Sequence, residues 1–383
     1  MSYKAFEFSA KTEYVFAEQA AEALKVQLER RKPAKLFVLA SERAFRIVSA
    51  TLEELGQPYV LQTGCMPNPT ADFVNDCAAR LAAEGCDFVL GVGGGSVIDA
   101  SKAIAILAVN PTEGGIWDYV SFTKMPEKPA LPIGLVVTIP STGSESNPSA
   151  VISNTQLQEK LIYTEESLRP TFSITAPELT YTLPARQAGA GAADIMSHLL
   201  EQYLHNDTGV EVSDNMLLGV MKAVVKWAPV SIAQPDCYDA KANLLWASYL
   251  AMSRVMSVGH DENWISHMVE HSISAKFDLT HGAGMSIVMP AYVDMIAPTD
   301  RSGRLSRLAA EVFEQPDRPA GTLLREYFAG LGMPVTLEQA GIVLTDEDKQ
   351  ACAEKSLPWG PMAIEGYEPF SGESVIKLLE AAK

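Results

Sequence analysis

The 383-residue chain carries 47 Asp+Glu against 30 Lys+Arg, for a net charge of −17 and a pI near 4.8, with 47% hydrophobic residues. That acidic balance, without a Lys/Arg cluster, argues against nucleic acid or an anionic membrane surface as partner, because phosphate contacts need grouped cations. The length suits two domains, each able to bury its own core.

From about residue 34, short apolar runs alternate with helix-like segments. Residues 35–40 (KLFVLA), 59–61, 88–92 (FVLGV) and 135–139 (LVVTI) predict strands, and 45–55 and 71–84 predict helices. Such alternation predicts parallel βαβ units, which bind ligands at the carboxyl ends of their strands. After Pro184 the texture changes. The segments 185–206, 211–228, 239–258, 262–276, 281–297, 302–314, 319–331 and 371–382 carry Ala, Leu, Met and Glu at three-to-four spacing, which predicts helices. The expected organisation is an α/β nucleotide-binding domain over 1–183 and an all-α metal- and substrate-binding domain over 184–383.

The five cysteines, at 65, 77, 86, 237 and 352, include no CxxC pair and read as free thiols in a reducing compartment. The N-terminus lacks a signal-peptide pattern and no window approaches about 18 uninterrupted apolar residues, so a soluble, cytoplasmic protein is expected.

Gly91, Gly93, Gly94, Gly95 and Ser96 follow the strand 88–92 and open a helix over 97–108. A glycine-rich strand-to-helix turn leaves backbone N–H groups open at a helix N-terminus, which suits a pyrophosphate, although the spacing is not GxGxxG. Asp99 and Lys102 lie on the first turns of that helix. A second polar loop, Thr138 to Asn147, follows the strand 135–139, and two such loops after two strands favour a dinucleotide.

All six histidines, at 198, 205, 260, 267, 271 and 281, fall in one window. Asp194 and His198 are four apart in a helical segment, as are His267 and His271, and His281 follows at the start of another helix. One carboxylate and three imidazoles can hold a divalent metal with a position open for substrate, and four histidines compete for the three places. His205 and His260 read as solvated loop residues outside the site.

Taken together, these residues resemble the iron-containing (group III) alcohol dehydrogenases. The resemblance rests on Gly93 to Lys102, Ser141 to Glu145, Pro177 to Pro184, Asp194-x3-His198, His267-x3-His271-x9-His281-Gly282 and Leu331 to Pro334. Within the family the chain looks most like the butanol dehydrogenase and NADPH-dependent aldehyde reductase branch. The resemblance implies a dehydroquinate-synthase-like fold with NAD(P) in a cleft, and one divalent metal, iron or zinc, held by Asp194, His198, His267 and His281. It places His271 beside the nicotinamide, and His271 or a water is the expected proton relay. It sets Gly94, Gly95 and Ser96 on the pyrophosphate, with Asp99 supporting that loop, and Thr138, Thr142 and Lys160 near the ribose and nicotinamide. Asn147 is counted with the cofactor loop. The implied reaction is hydride transfer between nicotinamide C4 and a short-chain aldehyde polarised by the metal, in a homodimer.

Two positions depart from relatives. Ser41 stands where many NAD-preferring members carry Asp, so it permits NADPH, whose 2′-phosphate Arg43 could pair with although Glu42 opposes it. Arg254, in the predicted helix 239–258, could select an acidic aldehyde such as sulfoacetaldehyde. Two other classes compete: a metal- and NAD-dependent cyclase of the dehydroquinate synthase type, and a metal hydrolase using Glu201 or Glu270 as base.

Overall fold

The computed structural model describes residues 3–357, 360–362 and 369–383. The chain divides into two compact units: Ala10–Thr182, and Leu183–Lys383 together with the segment up to Ser9. The division falls close to the expected boundary, but residues 3–9 go with the helices. The reason is local: the Lys4 N–H donates to the Gly259 carbonyl at 2.7 Å, Lys4 Nζ pairs with Asp261 at 2.6 Å, and the Tyr3 hydroxyl meets Ser213.

The α/β unit contains the strands β1 (Glu13–Phe16), β2 (Leu36–Ala40), β3 (Tyr59–Gln62), β4 (Phe88–Gly93), β5 (Ile133–Val137), β6 (Ser149–Asn154), β7 (Glu159–Thr164) and β8 (Phe172–Thr175). Its helices are α1 (Ala20–Arg31), α2 (Glu42–Phe45), α3 (Ser49–Glu54), α4 (Ala71–Ala83), α5 (Gly95–Leu107) and α6 (Ile116–Val120). Six strands form one parallel sheet in the order β1-β8-β5-β4-β2-β3, and β6 and β7 make a separate antiparallel hairpin. The central strands β2, β4, β5 and β8 are buried along their whole length, which their unbroken apolar runs required. Strand period two then sorts them: Leu36, Val38 and Ala40 join one core layer with α1 and α3, and Phe37 and Leu39 join the other with α4 and α5.

Several elements differ from expectation. The helix foreseen over 45–55 is two short ones, α2 and α3, broken at Arg46, Ile47 and Val48, where two β-branched residues weaken a helix. The short edge strand β1, the hairpin β6–β7 and β8 were not foreseen.

The helical unit runs α7 (Ala185–Tyr203), α8 (Glu211–Ala233), α9 (Tyr238–Met252), α10 (Ile265–Phe277), α11 (His281–Ile296), α12 (Arg304–Arg307), α13 (Ala320–Gly330), α14 (Asp346–Ser356) and α15 (Gly372–Ala381). The foreseen helix 239–258 stops at Met252, and Arg254 beyond it takes a left-handed backbone with φ 65°. Among the described residues α8 is the one helix long and apolar enough to cross a membrane by composition. It packs on α7 and α9 and buries Leu217, Met221, Val224 and Ala228 in the shared core. All five cysteines are free.

Candidate metal centre and cofactor loop

Helix α7 presents Asp194, His198 and Glu201 at i, i+4 and i+7, and all three are buried. Helix α10 adds His267, Glu270 and His271, and α11 opens with His281. A close helix approach positions His281. At Gly282 a Cβ would lie 2.0 Å from the Ala190 carbonyl oxygen, so only glycine lets α11 press onto the backbone of α7 beside His281.

Asp194, His198, His267 and His281 each bring one ligand atom into a group whose members all lie within 4.8 Å of one another. From Asp194 Oδ1 it is 3.6 Å to His198 Nδ1, 3.8 Å to His267 Nε2 and 3.4 Å to His281 Nε2. His198 Nδ1 and His267 Nε2 are buried without a hydrogen-bond partner, a costly arrangement that a cation between them would relieve. His281 is the most accessible of the four.

The electrostatics are set by burial and by the neighbouring carboxylates. Burial pushes His198 down to about 3, so its imidazole is neutral and ready to ligate. Burial also opposes charge on His267 and His281, yet Glu201 beside the first, Glu270 beside the second, and Asp194 outweigh it. His267 is held up at about 10 and His281 is raised. Asp194 is held well below the usual carboxylate range, since His198 and His281 overcome its burial. Three buried carboxylates thus concentrate negative charge here, a field suited to a divalent cation.

His271 is buried one position after Glu270, its ring 5.4 Å from that of His281 and 6.3 Å from that of His267. It also groups with Glu270 and His281 within ligating distance, so geometry alone permits it as a ligand too. His205 and His260 are not solvated as expected. They are buried and stacked at 4.3 Å. His205 Nδ1 accepts the Asp207 N–H, and its Nε2 lies 3.4 Å from Asp214, which Arg304 pairs at 2.7 Å. They are core polar residues whose short polar segments read as loops in sequence.

In the α/β unit the glycine turn joins β4 to α5, with Gly94 as the N-cap and α5 starting at Gly95, two residues earlier than foreseen. Gly94, Gly95 and Ser96 are half-buried. The glycines are steric requirements: a Cβ on Gly94 would meet Ile139 at 2.9 Å, and one on Gly95 would meet Thr142 Cγ2 at 2.4 Å. The second loop is therefore seated on the first, and the Thr138 N–H donates to the Gly93 carbonyl at 3.0 Å.

Beneath both loops lies a buried polar network. Asp99 accepts from Ser144 Oγ at 2.6 Å and from the Val151 N–H at 3.0 Å. Lys102, fully buried, donates to the Ser144 carbonyl (2.6 Å), Ser144 Oγ (2.7 Å), Asn147 Oδ1 (3.2 Å) and the Ser149 carbonyl (2.6 Å). Burial pushes Lys102 down to about 8 against the pull of Asp99 and Glu145, and burial raises Asp99 against the pull of Lys102. Asn147 is turned inward as part of this brace, taking the Lys102 ammonium and the Ser149 N–H on Oδ1. Lys102 was noted in sequence without a role, and its i+3 spacing from Asp99 was the available signal. Lys160 is buried on β7 opposite Ser153. Ser41 is exposed and caps α2 through the Ala44 N–H at 3.1 Å.

Comparison with known proteins decides the lineage. Residues 11–177 match the model of the iron-containing alcohol dehydrogenase family, and 189–383 match that of the Fe-containing alcohol dehydrogenase family, C-terminal. The chain belongs to the iron-containing alcohol dehydrogenases. It is similar to the NADH-dependent butanol dehydrogenase A of Clostridium acetobutylicum, at 32% identity over 98% of both chains. It is also similar to the NADPH-dependent aldehyde reductase YqhD of Escherichia coli, at 29% identity over 88% of this chain and 89% of that one. A solved NADH-dependent butanol dehydrogenase A from Thermotoga maritima superposes with a TM-score of 0.92 at 30% identity over the whole of both chains. As a member of the family the protein is an oxidoreductase, with the α/β and helical domains of an iron-containing alcohol dehydrogenase.

Arg254 is exposed on its left-handed turn and makes no ion pair among the described residues.

Proposed function

We propose that the protein is an iron-dependent, NAD(P)H-linked alcohol dehydrogenase that reduces short-chain aldehydes. The observation that carries this reading is the gathering of Asp194, His198, His267 and His281 within 4.8 Å, with buried ring nitrogens that lack hydrogen-bond partners. Their Nε2, Nδ1 and carboxylate atoms would hold one divalent cation. Bound there, such an ion supplies Lewis acidity that favours negative charge on a substrate oxygen.

The chain's own residues do the rest. Backbone N–H groups at the start of α5 bind a pyrophosphate, with Gly94 and Gly95 keeping its approach free of side chains. Asp99 and Lys102 fix that turn to the loop bearing Thr138 and Thr142 and so orient the nicotinamide end. His271, buried beside the ligand set, is placed to hand a proton to the nascent alcohol. Ser41 presents no carboxylate against a 2′-phosphate, and exposed Arg43 makes no ion pair among the described residues, so NADPH is accepted as well as NADH.

The carboxylate-rich surroundings of the site support a reductase of neutral aldehydes over a cyclase acting on a phosphorylated acid. Glu201 and Glu270 each face a ligand imidazole, which leaves neither placed as the base of a hydrolase. The test is absorbance at 340 nm with purified protein, NADH or NADPH, and neutral and acidic aldehydes. Consumption of reduced cofactor with butyraldehyde supports the reading. Consumption with no aldehyde tried would overturn it.

A further inference from the structure

We propose that Glu201 and Glu270 are positioning residues that fix His267 and His281 as metal ligands and govern how tightly the ion is retained. The inference rests on the reading that Asp194, His198, His267 and His281 hold a divalent metal.

Both carboxylates are fully buried, and each addresses the ring nitrogen that faces away from Asp194. Glu201 Oε2 forms an ion-pair contact with His267 Nδ1 that is not aligned as a hydrogen bond, while its Oε1 accepts the His267 backbone N–H at 3.0 Å and the Ser266 hydroxyl. One carboxylate therefore ties α7 to the first turn of α10 and also sets the rotation of the His267 ring. An acid at this place also suits the positive end of α10. Glu270 Oε2 is hydrogen-bonded to His281 Nδ1, which links α10 to α11.

A carboxylate against Nδ1, hydrogen-bonded at His281 and in ion-pair contact at His267, favours the proton there and leaves the Nε2 lone pair for an ion. The two Nε2 atoms are the ones that lie 3.8 and 3.4 Å from Asp194 Oδ1. Rings left free would turn or swap tautomer, and the ligand set would have to be ordered again at each binding event.

Space for the Glu270 carboxylate is reserved by the sequence. A Cβ at Gly284 would lie 2.5 Å from Glu270 Oε1 and 2.9 Å from its carboxyl carbon, so glycine in the first turn of α11 admits the acid. In that helix Gly284 otherwise lowers stability relative to Ala. Local helix stability and ligand orientation thus ask for different residues at position 284, and a measurement can separate them.

The experiment uses full-length protein loaded with Co2+, with release to excess EDTA followed by the visible cobalt bands, metal content by mass spectrometry and folding by circular dichroism. Glu270→Ala should release cobalt about 10- to 100-fold faster than the wild type and shift its visible spectrum, with Glu270→Gln, which keeps an acceptor but not the charge, in between. Glu201→Gln should act in the same direction. Gly284→Ala should speed release, and added to Glu270→Ala it should speed release no further, because the group it displaces is already gone. Folded Glu270→Ala and Glu270→Gln proteins with wild-type spectra and release rates would overturn the proposal. A folded wild-type protein that takes up no cobalt, iron or zinc would instead overturn the metal reading beneath it.

Discussion

Replacing Lys102 with Met removes the ammonium that ties the glycine turn to the second loop, and the structure gives the terms of the outcome. At about 8, against an ordinary 10.5, the buried charge of Lys102 is held at a net cost of roughly 3 kcal/mol, which the substitution removes. Against that gain, the Ser144 and Ser149 carbonyls lose bonds of 2.6 Å and keep only contacts of 3.4 Å, a loss of about 1–3 kcal/mol each. Asp99 meanwhile loses the cation that most favours its charged form, which for a buried charge costs about 3–5 kcal/mol. The net expectation is a loss of about 2–8 kcal/mol, or a midpoint lower by roughly 5–30 °C for a unit of this size. The sign in pH follows from the same shift. Between about 8 and 10.5 the unfolded Lys102 binds more protons than the folded one, so this residue's contribution makes wild-type stability rise with pH across that window and is least favourable below it. The difference between wild type and Lys102→Met should therefore widen from pH 7 to pH 10. Differential scanning calorimetry over that range, with fluorescence titration of NADH, reads both effects, while metal content should stay constant because the ligands lie in the other unit. A variant with the wild-type midpoint and unchanged NADH affinity would refute the reasoning.

Three further outcomes follow from the geometry. Gly95→Ala drives a methyl to within 2.4 Å of Thr142 Cγ2, so NAD(P)H affinity by fluorescence titration should fall about 10-fold or more, and Thr142→Ser in the same chain should restore part of it. His281→Ala removes one of four ligands, so metal content by mass spectrometry and turnover should both fall by about 10-fold or more, with circular dichroism unchanged. Arg254→Ala removes an exposed cation, so the activity ratio between butyraldehyde and sulfoacetaldehyde should stay within about two-fold, and a larger change would restore Arg254 as an anion selector.

The candidate cluster was readable because five residues at helix spacing, or at a helix start, must face one side: Asp194 with His198, His267 with His271, and His281 before a glycine. The choice among the four histidines was not, since it depends on how α7, α10 and α11 cross, and that is set by the close approach at Gly282. Glu201 and Glu270 were visible as acids near the ligands, but only the packed helices turn them toward ring nitrogens. Buried strands with unbroken apolar runs, such as β2 and β4, were legible, whereas β6 and β7, half-buried and mixed in polarity, were not. Helix α14 escaped because its sequence, DEDKQACAEKS, is mostly polar, although the Thr345 and Asp348 capping box marked its start. Residues 205–207 and 258–263 read as solvent loops because polar sequence does not reveal that Arg304 pairs with Asp214 beside His205 inside the protein.

The most direct test of the central claim is the rate of NAD(P)H oxidation with butyraldehyde, measured at 340 nm for iron-loaded protein, for the same protein stripped by chelation, and after iron is returned. The account predicts turnover that disappears with the metal and comes back with it. Equal rates in the stripped and loaded protein, or no turnover when iron is bound at full occupancy, would contradict it.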